Sequence, residues 1–226
     1  MKKVALGVLV AGFLIGAGNA QAGTLTFTDS ISMQNLDWGD EESLTLEVSK
    51  YNRREKLLSI FVEVSSNASG TYILTSNRTN GDIRYGTKND DVGALVEVSG
   101  PSNSIFLDPT PIQNIGSGTL TPRQSISIDI SGSDTKSAFV DSSFFNLFTG
   151  SGNVMFNASA FSNIDINIIG SKSSQSFNLQ ADARLKVVYT YEDAPPPHTE
   201  IPEPGTLAGL LAFGSLGLAA NRRRAS

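Results

Sequence analysis

From Phe177 to Tyr191 the chain alternates: Phe177, Leu179, Ala181, Ala183, Leu185, Val187, Tyr189 and Tyr191 take the odd positions, and mainly polar residues such as Asn178, Gln180, Asp182, Arg184 and Lys186 take the even ones. A period of two puts one face of a strand in a core and the other in water. The segment therefore predicts a long antiparallel strand, or two strands joined through a bend near Ala181 to Ala183. The same alternation runs through Leu58, Ile60, Val62 and Val64, through Val92 to Val98, through Ile126, Ile128 and Ile130, and through Ile164, Ile166 and Ile168. Shorter strands are predicted at Leu25 to Thr28, Leu44 to Val48, Thr71 to Thr75, Ser104 to Leu107 and Asn153 to Phe161.

Turn chemistry separates these runs at Ser69-Gly70, Asn80-Gly81, Gly100-Pro101, Asp108-Pro109, Gly132-Ser133, Gly150-Ser151-Gly152 and Gly170-Ser171. Asp141 to Phe148 predicts a turn of helix that plugs one end of the core with Phe144, Phe145 and Phe148. About nine or ten short strands with frequent turns predict an all-β fold, one antiparallel β-sandwich of the jelly-roll or immunoglobulin-like kind.

The two ends break this pattern. Lys2 and Lys3, the apolar run Val4 to Ala17 and the small-x-small triplet Ala20-Gln21-Ala22 have the three parts of a secretory signal peptide, with cleavage between Ala22 and Gly23. At the other end an apolar run from Thr206 to Ala220 is followed by Arg222-Arg223-Arg224. As a helix it reaches about 22 Å, short of the roughly 30 Å hydrocarbon core, so it predicts a short transmembrane helix under strain. The arginines hold that end on the cytoplasmic side. Pro202 and Pro204 keep the junction before it extended and open to a protease.

Pro202-Glu203-Pro204, the short apolar helix and the arginine cluster together resemble the PEP-CTERM sorting signal of Gram-negative bacteria. Gly205 stands where that family often has Ser or Thr, and Asn221 precedes the arginines. The resemblance implies recognition by an exosortase, a membrane-embedded cysteine protease or transpeptidase that processes the protein near the tripeptide. It also implies passage through the Sec translocon and signal peptidase, membrane association through the C-terminus until processing, and then a place at the cell surface or outside the cell.

The chain thus divides into a signal peptide at 1–22, a sandwich domain at 23–192, a Pro-rich linker at 193–201 and the sorting signal at 202–226. Pro195-Pro196-Pro197 favours polyproline II, a semi-rigid spacer. Without the terminal cations and Glu203, residues 23–201 keep 12 Lys and Arg against 21 Asp and Glu, so the whole-chain charge of -5 conceals a mature charge of -9. Such a balance argues against nucleic acid, anionic lipid and acidic polysaccharide as partners. Zero cysteines exclude disulfides, thiol chemistry and cysteine-ligated metals, and the single His198 lies in the linker.

A second resemblance lies in the domain itself. Leu147 to Ala160 with its Gly150-Ser151-Gly152, then Gly170, then Ala181 to Tyr191 are similar to the bacterial choice-of-anchor E domain; Tyr51-Asn52 and Leu57-Leu58-Ser59-Ile60 agree more loosely. Arg53-Arg54-Glu55-Lys56 is unusual for such a domain. The resemblance implies a β-rich module placed before interchangeable anchors, and carries no catalytic residues.

Candidate chemistry is sparse. Asp37, Asp40, Glu41 and Glu42 form one acidic cluster and Asn89, Asp90 and Asp91 another; loops in sandwiches can gather the six to eight oxygens that Ca2+ takes. Neither has the spacing of a known calcium loop, and acidic turns in water are the plainer reading. Trp38, the sole tryptophan, is a candidate contact for a sugar face, with a core or rim aromatic the plainer reading. No nucleophile motif or phosphate loop occurs. The sequence therefore points to a non-enzymatic surface or extracellular-matrix protein with a structural or adhesive role, as in a biofilm. The alternatives are a module that binds or weakly processes exopolysaccharide, with calcium in support, and a permanently tail-anchored protein.

Overall fold

The computed structural model describes residues 22–36, 44–86 and 90–192. The leader through Gln21, the segment Asp37 to Ser43, the triplet Thr87 to Asn89 and everything from Asp193 onward lie outside the described residues. So do the sequence features they carry: Ala20, the first acidic cluster, Trp38, Asn89, His198, Pro202-Glu203-Pro204 and Arg222-Arg223-Arg224.

The described body is all-β. In chain order its strands are β1 (Ala22–Asn35), β2 (Leu44–Ser49), β3 (Leu57–Ser76), β4 (Ile83–Tyr85), β5 (Asp91–Ser99), β6 (Phe106–Leu107), β7 (Ile112–Asn114), β8 (Gly118–Leu120), β9 (Ser125–Phe139), β10 (Asn153–Asp165), β11 (Ile168–Ile169) and β12 (Ser173–Glu192). Every ladder between them is antiparallel. One sheet has the order β1-β12-β3-β9; a second has β2-β10-β5-β6, with β7 also on β5; a third, small one has β11-β4-β8. Among the described residues no helix is long and apolar enough to cross a membrane.

Alternation makes the layers. Ile60, Val62 and Val64 of β3 and Leu185, Val187 and Tyr189 of β12 turn inward, where they meet Leu46 and Val48 of β2, Val96 of β5 and Phe156 of β10. Each fully buried Leu, Ile, Val or Phe contributes roughly 1.5–3 kcal/mol. The short helix α1 (Phe145–Phe148) closes one part of this core: Phe148 is fully buried, 6.1 Å from the Phe156 ring, and Phe144 and Phe145 pack beside it. Asp141 starts that turn by accepting from the Ser143 N–H at 2.9 Å. The far halves of β3 and β12 cover a second core, built from Tyr72, Leu74, Ile83, Val92, Leu120, Ile130 and Leu179.

Two breaks expected from turn residues lie inside strands. Gly70 continues β3 opposite Leu179 of β12, and Gly132 continues β9 opposite Ala68. Both glycines serve close approach. A Cβ on Gly70 would lie 2.0 Å from the Asn178 carbonyl at a φ of +147°, and one on Gly132 would lie 2.8 Å from the backbone of Ile112. The runs Leu58 to Val64 and Thr71 to Thr75 are therefore one strand of 20 residues. Ile164 lies in β10 and Ile168 in β11, so that expected strand is divided. Phe177, expected on the buried face, is 47% exposed: β1 ends at Asn35 opposite Gln180 and leaves β12 an edge there, while Tyr72 across the β3 ladder stays buried.

The bend considered near Ala181 to Ala183 is a joint within one strand. The β3 ladder skips from Ala181↔Ala68 to Arg184↔Ser65, and β1 carries an extra residue between Ile31↔Ala183 and Gln34↔Ala181, a bulge. Asp182, at the gap, is buried. Its carboxylate accepts from the Asn67 N–H at 2.7 Å and from Asn67 Nδ2, while its carbonyl accepts from Ser66 Oγ at 2.7 Å. Side chains thus satisfy backbone groups that the ladder leaves open.

The first sheet has β1 at one edge and β9 at the other. Backbone groups of alternate residues point to one edge, and on β9 three of them are already occupied. Gln113 of β7 accepts from the Ser131 N–H at 2.6 Å and donates to the Asp129 carbonyl at 3.2 Å, as a neighbouring strand would. Asp134 accepts from the Thr135 N–H and the Thr110 N–H, both at 2.8 Å. Partial burial raises the Asp134 pKa, but these N–H groups and Lys136 outweigh it and hold the carboxyl below its ordinary value. This guard is therefore charged at neutral pH, and its contribution is lost as pH falls through that lowered value.

Asp182→Ala leaves the Asn67 donors without their acceptor inside the joint and is expected to cost about 1–3 kcal/mol in denaturant unfolding. Gln113→Ala combined with Asp134→Ala uncovers the β9 edge; sedimentation velocity should then show concentration-dependent association that the parent chain lacks, with circular dichroism unchanged.

Alkali supplies a third test. Burial, and then Asp90, pushes the Tyr72 hydroxyl from 10.0 up to about 12, and burial also pushes Tyr189 upward. Unfolded tyrosines ionise near pH 10, so the stabilisation is full below pH 10 and declines as pH rises toward the folded values. Phenolate absorbance from these two rings should rise together with loss of the β-sheet circular dichroism signal, above pH 10.

Candidate functional site

The outward face of the first sheet carries the most organised polar surface. Inward residues of β3 sit at even positions and of β12 at odd ones, so Glu63, Ser65, Arg184 and Lys186 point away from the core. Register sets them in two rows across the sheet: Thr28, Lys186, Glu63 and Ser137 in one, Ser30, Arg184, Ser65 and Thr135 in the next. Together with Asp29 and Leu185, the residues contributed by β1, β12 and β3 line an open basin of about 410 Å³.

The charges in the basin are differently engaged. Lys186 donates to Glu63 at 3.2 Å, a pair exposed enough to be worth little in stability. Asp29 is structural: it accepts from the Ser30 N–H at 2.8 Å and the Glu47 N–H at 2.7 Å, tying the edge of the first sheet to β2 of the second. Arg184 has no ion-pair or hydrogen-bond partner among the described residues. The basin thus offers a guanidinium, an ammonium–carboxylate pair and three hydroxyls on one flat surface. Such a surface presents both donors and acceptors to an oxygen-rich ligand.

The next row along the same face is apolar: Thr26, Val188, Phe61 and Phe139. The Phe61 and Phe139 rings meet edge to face at 5.3 Å, and Phe139 is 69% exposed. Parity placed Phe61 on the wet face already, since Ile60 and Val62 alternate with it, but no candidate was drawn from that signal.

Of the sequence candidates within the described residues, Ala22 is exposed and opens β1, and Gly23 lies opposite Tyr191. Asp90 is buried and accepts from the Gly86 N–H at 2.6 Å, whereas Asp91 is approached by Asn114 Nδ2 at 3.4 Å. The two acids thus serve different local contacts. Among the described residues no group of three or more His, Asp or Glu is placed to hold a metal ion.

No protein-family model and no curated protein matches the chain. Among solved structures, a chain of the T13 IBDV viral particle is 9% identical, with 94% of this chain and 52% of that one covered and a TM-score of 0.20. A chain of the infectious bursal disease virus Gx strain is 11% identical, with 95% and 54% covered and a TM-score of 0.12. The chain spans about half the length of these viral chains, and likeness at such TM-scores carries no argument about fold or function.

Proposed function

We propose that the chain is an exported protein of a Gram-negative bacterium, sorted by an exosortase through Pro202-Glu203-Pro204 and Arg222-Arg223-Arg224, and displayed at or released from the cell surface. Its mature body, in this reading a jelly-roll or immunoglobulin-like sandwich ahead of a short transmembrane helix, has a structural or adhesive role and no catalytic one. Its partners in transit are the Sec translocon, signal peptidase, the exosortase and the membrane.

The observation that supports this best is the position of the two ends of the described body. Ala22 and Glu192 are paired residues on adjacent strands, so the leader and the spacer leave from one corner. That corner is closed locally. The Arg53 guanidinium lies 5.0 Å over the Tyr191 ring and donates to its hydroxyl at 2.8 Å, and the Glu192 N–H donates to the Lys56 carbonyl at 2.9 Å. Among the described residues, the buried side chains of both cores fall between Leu25 and Tyr191. The Arg53 to Lys56 stretch, unusual for a choice-of-anchor domain, contributes to the clamp.

A second reading, a carbohydrate-binding module, is favoured by the outer face of the first sheet, with its exposed Phe139 and, two rows along and two strands across, an Arg184 that has no partner among the described residues.

The sorting claim is tested in an exosortase-bearing host by replacing Pro202-Glu203-Pro204 with three alanines and reading C-terminal mass and cell fraction. The parent chain should have lost its C-terminal segment and left the inner membrane, and the variant should retain both the segment and the membrane. An intact C-terminus on the parent chain would mean a permanent tail anchor and overturn the proposal.

A further inference from the structure

We propose that the outer face of the first sheet binds a neutral polysaccharide, with the Phe139 ring as its stacking platform and Glu63, Lys186 and Arg184 as the groups that hold its hydroxyls. This rests on the carbohydrate-binding reading and adds to it the class of ligand and the role of each contact. Phe139 is 69% exposed on an edge strand, while its partner Phe61 is half-buried and fixes it from one side at 5.3 Å. An apolar ring kept in that position has one face free for the C–H surface of a pyranose.

One step along the strands, about 6.6 Å, lies the row of Lys186 and Glu63, and one step further the row of Arg184. A chain laid along β3 from the ring therefore meets a donor–acceptor pair and then a guanidinium flanked by Ser30 and Ser65. Lys186 and Glu63 are already aligned at 3.2 Å, which preorganises them for adjacent hydroxyls.

Charge decides for a neutral ligand. On the outer face Lys186 is taken up by Glu63 and Arg184 is the remaining cation, Asp29 being turned inward to the Glu47 N–H, while the body around it carries -9 over residues 23–201, so a polyanion gains one guanidinium locally and is repelled at long range. A second copy is disfavoured as occupant because the apolar row is one residue deep, bounded by hydroxyls and charges. A stable dimer needs about 1,200 Å² or more of complementary surface.

The test is retention of the exported chain, purified as its host processes it, on insoluble cellulose and in affinity gels containing laminarin, dextran or alginate. At least one of the three neutral polymers should retain it and alginate should not. Phe139→Ala should weaken retention about tenfold, Arg184→Gln several-fold, and Phe139→Tyr should restore it. Phe139 is so exposed that its substitution should leave unfolding unchanged, checked by thermal melts. Loss with Trp38→Ala but not with Phe139→Ala would overturn this site and leave the carbohydrate reading standing. Retention on alginate alone would overturn the neutral ligand, association of the chain through Phe139 would make the face a self-contact, and no retention on any polymer would overturn both readings.

Discussion

The antiparallel pairing of β3 with β12 is the constraint from which the rest of the fold follows. These strands run together from Leu57↔Tyr191 to Ser76↔Ser173 and provide the inner surface of both cores. Because side chains alternate with period two, a slip of one residue would turn Val62, Val64, Leu185 and Val187 into solvent and bring Glu63 and Lys186 inside. The desolvation of that ion pair alone would oppose the slip strongly. Register is thereby fixed by the core. The same register places Arg184 between Ser30 and Ser65 and sets Phe61 beside Phe139.

A strand pair this long must bend to cover two cores, and the joint at Asp182 shows how the cost is met. The ladder opens for two residues on the β3 side and β1 inserts a bulge on the other. The polar groups so released are taken up by Asn67 and Ser66. A buried carboxylate in the middle of a sheet is unfavourable by itself, and it is tolerated here because donors converge on it. The twist gained at such a bulge lets the far halves of β3 and β12 turn toward the small sheet of β4, β8 and β11.

Much of this was legible along the chain where the alternation is long. Leu179 to Tyr191 has every odd side chain buried, and the bend near Ala181 to Ala183 was visible because small residues flank Asp182. The failures share one physical cause. Gly70 and Gly132 have the chemistry of turns, but a glycine inside a strand equally marks close approach of another backbone, and only the neighbouring chain decides between the two. Strands of three residues, β4, β7 and β8, carry too few side chains for a period to emerge. Their pairing depends on partners far off in sequence.

The candidate site was less legible for a related reason. Along the sequence, candidate chemistry stands out in clusters of like residues and in the lone tryptophan, whereas the outer face assembles single residues from four strands. Phe139 looks like a core aromatic when read alone. Its parity with Ser133, Thr135 and Ser137 places it on the wet face, where β9 ends beside Phe61 of β3. A surface made this way inherits rigidity from the sheet, since the cores hold each strand and Gln113 and Asp134 occupy part of the free edge. The exit corner at Ala22 and Glu192 lies two rows beyond the phenylalanine row along β12. Under the proposed sorting, a chain held by its spacer would keep this face close to its point of attachment.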